Sequence, residues 1–152
     1  ISVRRATIRE LRIIQDLNYA LFRSDARRDK FLNHKWPYED GRAYFRKRIT
    51  NKDSICLVAE VNKEIVGYLA GSIRKSESWR PIKRTELENM LVKKEHRSKG
   101  IGEKLIKEFL KWSKKKGTKR VMVSAYASNK KAIKFYKRVG FVPFNLELEA
   151  SL

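Results

Sequence analysis

This sequence predicts a mixed α/β sheet in one domain, flanked by about four helices, on three observations. Helical spacing and strand-like apolar runs follow each other in the order strand, two helices, three strands, helix, strand, helix, strand. A glycine-bearing segment, Arg97-Ser98-Lys99-Gly100-Ile101-Gly102, opens the strongest of the helical patterns. The 152 residues are 41% hydrophobic, enough to build one core, and no repeat or linker divides them, so residues 1–152 are expected to form a single domain.

Val3 to Ala6 reads as a short first strand. Thr7-Ile8-Arg9-Glu10 has the Thr-x-x-Glu form of a capping box, and Leu11, Ile14, Leu17, Leu21 and Phe22 recur behind it at helical spacing. Lys30 to Asp40 is irregular around Trp36-Pro37-Tyr38, and Arg42 to Ile49 suits a second short helix. Ser54 to Val61 and Ile65 to Ile73 are strands joined by a tight turn at Asn62-Lys63-Glu64, a hairpin. After a polar loop from Arg74 to Pro81, which carries Trp79, Thr85 to Val92 is another strand.

The long helix follows, with Ile101, Leu105, Ile106, Phe109, Leu110 and Trp112 on one side. Lys114, Lys115 and Lys116 complement the dipole in its last turn, and Gly117 stops it. Arg120 to Tyr126 is a strand, Ser128 or Asn129 caps the next helix, and Phe141 to Leu148 has a closing strand pattern.

Thirty-seven lysines and arginines stand against 17 acids, giving a formal charge of +20 and a pI near 10.3. Such a field attracts polyanions, so weak, nonspecific nucleic acid binding is expected at low salt. The cations are nevertheless spread along the chain as a solvated surface, without a basic tail. Cys56, the only cysteine, reads as a small buried hydrophobe, which leaves no internal disulfide. His34 and His96 are far apart and no cysteine cluster accompanies them, so no metal is expected. No apolar run approaches the roughly 18 residues that span a bilayer, and Ile1-Ser2-Val3-Arg4-Arg5 lacks the core of a secretory signal. A cytoplasmic protein without a membrane partner is expected.

Two segments carry the chemistry. Gly100 and Gly102 allow a backbone to approach a phosphate closely, and the helix they open offers free N–H groups and a favourable dipole. Downstream, Asn129-Lys130-Lys131-Ala132-Ile133-Lys134-Phe135-Tyr136 puts a phenol on a short helix. The ordered pair, set in this succession of elements, resembles the GNAT superfamily of N-acetyltransferases over nearly the whole chain, most strongly from Leu91 to Phe141.

The resemblance implies a mixed, mostly antiparallel sheet in which the strand before the glycine motif and the strand after the long helix splay apart to admit the pantetheine arm of acetyl-CoA, the acetyl donor. It implies that main chain at Leu91 and Val92 contacts that arm, and that Arg97, Ser98, Lys99, Gly100, Ile101 and Gly102 wrap the pyrophosphate. Asn129 would hydrogen-bond the pantetheine and equally suits a helix cap; Ala132 keeps the adjoining face small. Tyr136 would protonate the departing thiolate, since a phenol of pKa about 10 can serve a thiol of about 8.5.

The acceptor amine must lose a proton to attack, and Glu86 and Glu88 are the candidate bases. Two-residue spacing puts them on one strand face, with Met90 and Val92. Some family members carry a catalytic glutamate at the place of Glu86. Others use a glutamate in the following strand, where this chain has Ser124.

Trp36, Tyr38 and Trp79 fall in loops that border the acceptor pocket in the family, and suit either cation–π contact or packing. The expectation is direct attack by a primary amine, of a small molecule or a protein, in a ternary complex. The competing expectation is a basic nucleic-acid-binding module or a non-catalytic acyl-CoA-binding interaction module.

Overall fold

The structure, a computed structural model, describes all 152 residues. One sheet contains β1 (Ser2–Arg5), β2 (Ser54–Val61), β3 (Glu64–Arg74), β4 (Arg84–Val92) and β5 (Arg120–Val123), in that spatial order. The first four strands are consecutive antiparallel neighbours, and β5 joins β4 in parallel. The β2–β3 turn is made by Asn62 and Lys63 at φ 50° and 67°, the left-handed pair that matches strand twist in a two-residue hairpin.

Helices α1 (Leu11–Asp25) and α2 (Asp40–Thr50) cover one face of the sheet, and α3 (Ile101–Lys115) and α4 (Lys130–Arg138) the other. Cover on both sides is why β2 and β3 are buried along most of their length rather than alternating with solvent. Cys56, Val58, Tyr68 and Ala70 pack with Ile14, Leu17 and Phe45 under α1 and α2, while Leu57, Val66 and Leu69 pack with Leu105, Ile106 and Phe109 under α3. Cys56 is buried as its sequence setting predicts, and burial pushes its thiol up to about 12. A buried hydroxyl pair, Thr85 and Ser113 at 2.7 Å, ties β4 to α3. No helix is long and apolar enough to cross a membrane.

Three sequence expectations are corrected. The strand expected to reach Tyr126 ends at Val123, because pairing with β4 stops at Leu87 opposite Val123 and a strand without a partner leaves its ladder. The closing strand expected from Phe141 to Leu148 is absent: Val142, Phe144, Leu146 and Leu148 alternate as in a strand but are 74–83% exposed and pair with nothing. Alternation specifies a face, and only a neighbouring strand turns it into sheet.

The faces of β4 also differ from a regular strand. Ala70 opposes Asn89 but Gly71 opposes Leu87, so Glu88 is an extra residue in β4, a β-bulge. Alternation restarts beyond it. Glu86 and Glu88 share the α1/α2 face, but Met90 and Val92, expected beside them, turn to the α3 side, and Leu91 enters the core beneath α1. Gly71 permits the bulge, since a Cβ there would stand 2.6 Å from the Glu86 carbonyl oxygen and collide with the Phe109 ring.

Candidate active site

The turn from β4 into α3 leaves a run of backbone N–H groups without partners. Ser98 and Gly100 have left-handed φ of 61° and 81°, and Gly100 is the N-cap of α3. Six successive backbone N–H groups, from Ser98 through Glu103, donate to nothing in the protein; the ladder begins with Lys104 N–H on the Gly100 carbonyl. Such a run concentrates partial positive charge where the helix dipole adds to it. A Cβ on Gly100 would meet nothing within 4 Å, so this side of the turn is open.

Arg97 is turned back: its Nε donates to the Val92 carbonyl at 2.8 Å, closing the loop on the strand it left. Lys99 is exposed, and Ile101 is buried and anchors the helix start. Gly102 has a different reason for being glycine from the one its sequence position suggests. Its side-chain direction faces α4, with the Phe135 ring 3.1 Å from an added Cβ, while its N–H stays among the free ones.

The β4–β5 seam opens next to this turn. Only Arg84 to Leu87 pair with Arg120 to Val123, so β4 beyond the bulge has no neighbour on that side. The Lys93 N–H donates to the Val66 carbonyl, which fixes the alternation: main-chain groups of Leu91 face β3, and those of Met90 and Val92 face the opening. Of the two residues expected to supply main-chain contacts, Val92 therefore has its N–H on the open side and Leu91 does not. Met90, absent from the sequence expectation, joins Val92 there. Only the bulge decides this, and periodicity carries no sign of it.

On α4, the Asn129 side chain accepts from the Ala132 N–H at 3.2 Å, so Asn129 rather than Ser128 is the cap, with its amide N–H groups left over. Ala132 is partly buried on the same turn. Tyr136 packs against the core beneath α3, its ring 5.6 Å from Phe135 and 5.8 Å from Phe141, and its hydroxyl makes no hydrogen bond within the protein. Burial, helped by the charge of Asp25, pushes this phenol up to about 12.

The two glutamates differ sharply. Glu88 accepts from Arg48 at 2.6 and 2.8 Å, from the Tyr44 hydroxyl at 2.7 Å and from Ser72 at 3.0 Å. Burial alone would raise its pKa, but the hydrogen bonds from Arg48 and Tyr44 outweigh it and hold the carboxyl below the usual range. Glu86 has only Arg74 at 3.4 Å, and burial raises it. The oxygens of Glu88 are thus filled by four hydrogen bonds, whereas Glu86 has one ion pair. Tyr44 and Arg48, one turn apart on α2, make this distinction, and nothing in the sequence pattern tied them to β4.

The loop aromatics also separate. Trp36 stacks on Phe22 at 5.5 Å, meets Tyr44 at 5.3 Å, and has its carbonyl oxygen 2.7 Å from where a Gly41 Cβ would lie, so it is packing. Tyr38 donates to Asp16 at 2.6 Å beneath the Arg12 guanidinium, and Trp79 is 76% exposed. A groove of about 880 Å³ runs beside α1, but it touches this site only through Leu91 and Arg97; Glu86 and Tyr136 lie outside its walls. Its lining includes no residue of β5 or α4.

A sequence model described as the acetyltransferase (GNAT) family matches residues 19–141. An uncharacterized N-acetyltransferase of Methanocaldococcus jannaschii is 29% identical over 140 residues, 92% of this chain and 60% of that protein. Another, from Bacillus subtilis, is 34% identical over 59 residues, 39% of this chain and 24% of that protein. The chain thus spans at most 60% of the length of these curated relatives. Among solved structures, a mutant protein of Bacillus halodurans superposes with a TM-score of 0.91 at 17% identity, covering 100% of this chain and 99% of that one. An aminoglycoside N-acetyltransferase in complex with CoA superposes at 0.77 and 16% identity, covering 99% and 98%. At these identities the structures share the fold.

Proposed function

The chain belongs to the acetyltransferase (GNAT) family, and from that premise we propose that residues 1–152 act as one catalytic domain transferring an acetyl group from acetyl-CoA to a primary amine. The observation that carries this reading is the run of six free N–H groups from Ser98 to Glu103, opening beside the unpaired edge of β4. A pyrophosphate needs several fixed donors at one place, and an extended pantetheine needs an unoccupied strand edge. Both are available here, side by side.

When bound, acetyl-CoA supplies the thioester carbonyl that the amine attacks. N–H groups of Met90 and Val92 stabilise the negative charge that develops on the carbonyl oxygen. Glu86 takes a proton from the acceptor ammonium, directly or through water, and the free amine forms the new C–N bond. The carbon–sulfur bond breaks and Tyr136 gives its proton to the departing sulfur, while the second proton of the attacking nitrogen, lost as the amide forms, returns through water to the Tyr136 oxygen. Amide and CoA are the products, with no covalent enzyme intermediate. An amine acceptor is supported by the aminoglycoside acetyltransferases among the structural neighbours, one of them in complex with sisomicin; small molecules and protein amines both remain candidates for this chain.

Thermal melts and titration calorimetry with acetyl-CoA test the reading, followed by a screen of peptide, polyamine and small-amine acceptors. A raised melting point with measurable binding is expected. No shift and no heat would remove the acetyl donor from the proposal.

A secondary activity has one specific observation in its favour. On α4, Lys130, Lys131, Lys134, Lys137 and Arg138 are exposed and the helix contains no acid. Nucleic acid should therefore bind weakly and without sequence preference, and the affinity should fall steeply as salt rises. Acetyl-CoA binding should persist, because fixed N–H groups rather than mobile lysines hold it. Tight, sequence-selective binding at physiological salt with no acetyl transfer would favour the nucleic-acid module instead.

A further inference from the structure

We infer that Asn89 is a positioning residue for acetyl transfer: its carboxamide, gripped at both ends, locks the β4 bulge and thereby aims the Met90 N–H into the open seam. The inference rests on the acetyltransferase reading above.

The grip is a chain of hydrogen bonds running beneath the sheet. Asn89 Oδ1 accepts from the Tyr68 hydroxyl at 2.6 Å, and its Nδ2 donates to the Tyr44 hydroxyl at 2.9 Å. Tyr68 in turn accepts from Asn18 Nδ2 at 2.9 Å, and Tyr44 donates to Glu88 at 2.7 Å. Each hydroxyl has one proton, so every direction is determined. The ionised Glu88 that Arg48 holds can only accept, so Tyr44 gives to Glu88, Asn89 gives to Tyr44, Tyr68 gives to Asn89, and Asn18 gives to Tyr68. Tyr68 and Asn18 are 0% and 1% exposed, so bulk water does not reach this end of the chain.

This chain and the bulge depend on each other. Successive residues of a regular strand point to opposite faces, so Glu88 and Asn89 could not both reach Tyr44. The extra residue lets them, and both are then fastened to that one hydroxyl. At a bulge the ladder is locally broken, leaving side chains to hold what main-chain bonds elsewhere hold. The residue immediately after the grip is Met90, the first whose N–H faces the opening beyond the last β4–β5 pair. A donor that stabilises developing charge works by being fixed in direction before the reaction, so a carboxamide that fixes the bulge controls the donor without touching substrate.

The test uses the full chain, acetyl-CoA labelled with ¹³C at the thioester carbonyl, and CoA. Variants are Asn89→Leu, which keeps the volume and loses both bonds, and Tyr44→Phe, which keeps Asn89 bonded to Tyr68 and Glu88 bonded to Arg48. In the wild type, the infrared band of the bound carbonyl should fall below that of free acetyl-CoA, as a hydrogen-bonded carbonyl does. In either folded variant the band should move back toward the free position, and acetyl-CoA affinity relative to CoA should drop about fivefold, the worth of one net hydrogen bond.

A lower melting point with the band and the affinity ratio unchanged overturns the inference, since a merely structural role predicts that result. Should Asn89→Leu fail to fold, Tyr44→Phe decides alone. Wild-type protein that binds no acetyl-CoA overturns the acetyltransferase reading, and this inference with it. Wild-type protein that binds without a lowered band overturns the inference alone.

Discussion

Glu86 and Glu88 stand two residues apart on one face of β4, yet Arg48 holds Glu88 at 2.6 Å while Glu86 has only a half-exposed Arg74 at 3.4 Å. A base must accept and return a proton in each cycle. Glu88 has its oxygens committed to Arg48, Tyr44 and Ser72, and protonating it would strand the Arg48 cation. Glu86 has no such commitment. The two carboxylates are alike in type and near in space, and their neighbours move their pKa values in opposite directions.

Replacing Glu86 by Gln should lower kcat/KM by about a hundredfold on the acid side of the pH profile, the usual worth of a general base. Because burial raises its pKa, the wild-type acid limb should lie above the ordinary glutamate value of about 4.3. Profiles with acetyl-CoA and a reactive amine check this. If Glu88→Gln alone removes the limb without loss of stability, the base has been assigned to the wrong carboxylate.

Glu88→Gln should instead destabilise the fold by about 2–4 kcal/mol, because it leaves the largely buried Arg48 without its counter-charge. The same pair sets a pH dependence. The folded state holds the Glu88 proton less tightly than the unfolded chain does, so unfolding takes up protons and stability rises with pH. The contribution is present above the unfolded glutamate value of about 4.3 and is lost as pH falls below it through the depressed folded value. Urea unfolding between neutral and acid pH should show this slope in the wild type and a shallower one in the variant.

Tyr136→Phe should lower turnover by about a hundredfold while acetyl-CoA affinity and melting temperature stay nearly unchanged, since the ring contacts with Phe135 and Phe141 survive. With the phenol pushed up to about 12, Tyr136 keeps its proton across the working range and produces no alkaline limb of its own. Wild-type turnover in the variant, under conditions where chemistry limits the rate, would make Tyr136 a packing residue.

Gly100→Ala and Gly102→Val should fail in different ways. At Gly100 the methyl meets no atom within 4 Å, so its cost is the left-handed φ, about 1–2 kcal/mol, together with loss of acetyl-CoA affinity as the open side of the turn is filled. At Gly102 the side chain drives into Phe135, so melting temperature should fall and any loss of binding should follow displacement of α4. Calorimetry and thermal melts on both variants separate the effects. Equal affinity losses with unchanged stability at Gly102 would assign its side-chain direction to the ligand after all.

The order of elements is legible in the chain because each carries a local signal: Thr7 and Glu10 before α1, the two turn residues Asn62 and Lys63, Gly117 behind α3. The helix-opening turn at Arg97 to Gly102 is local too, and its geometry follows from glycine and left-handed backbone. What the sequence hides is non-local. The bulge arises where Gly71 yields to Phe109 and the Glu86 carbonyl, so period-two reasoning misplaces Met90 and Val92. The division of labour between Glu86 and Glu88 depends on Arg48 and Tyr44, some 40 residues away along the chain. The segment after Phe141 shows the converse error, a correct alternation without a strand to receive it.

The parallel joint between β4 and β5 has four residue pairs, against eight between β2 and β3, and its strands are separated in sequence by the whole of α3. Hairpin neighbours meet cheaply during folding, whereas a crossover must close a long loop before any contact rewards it. The antiparallel meander is therefore expected to assemble early, and the joint late. Its amides should exchange with solvent by openings that leave the rest of the sheet intact. A molecule lying between β4 and β5, as the proposed pantetheine arm would, therefore bridges a short joint that no hairpin holds, and tightens it by mass action.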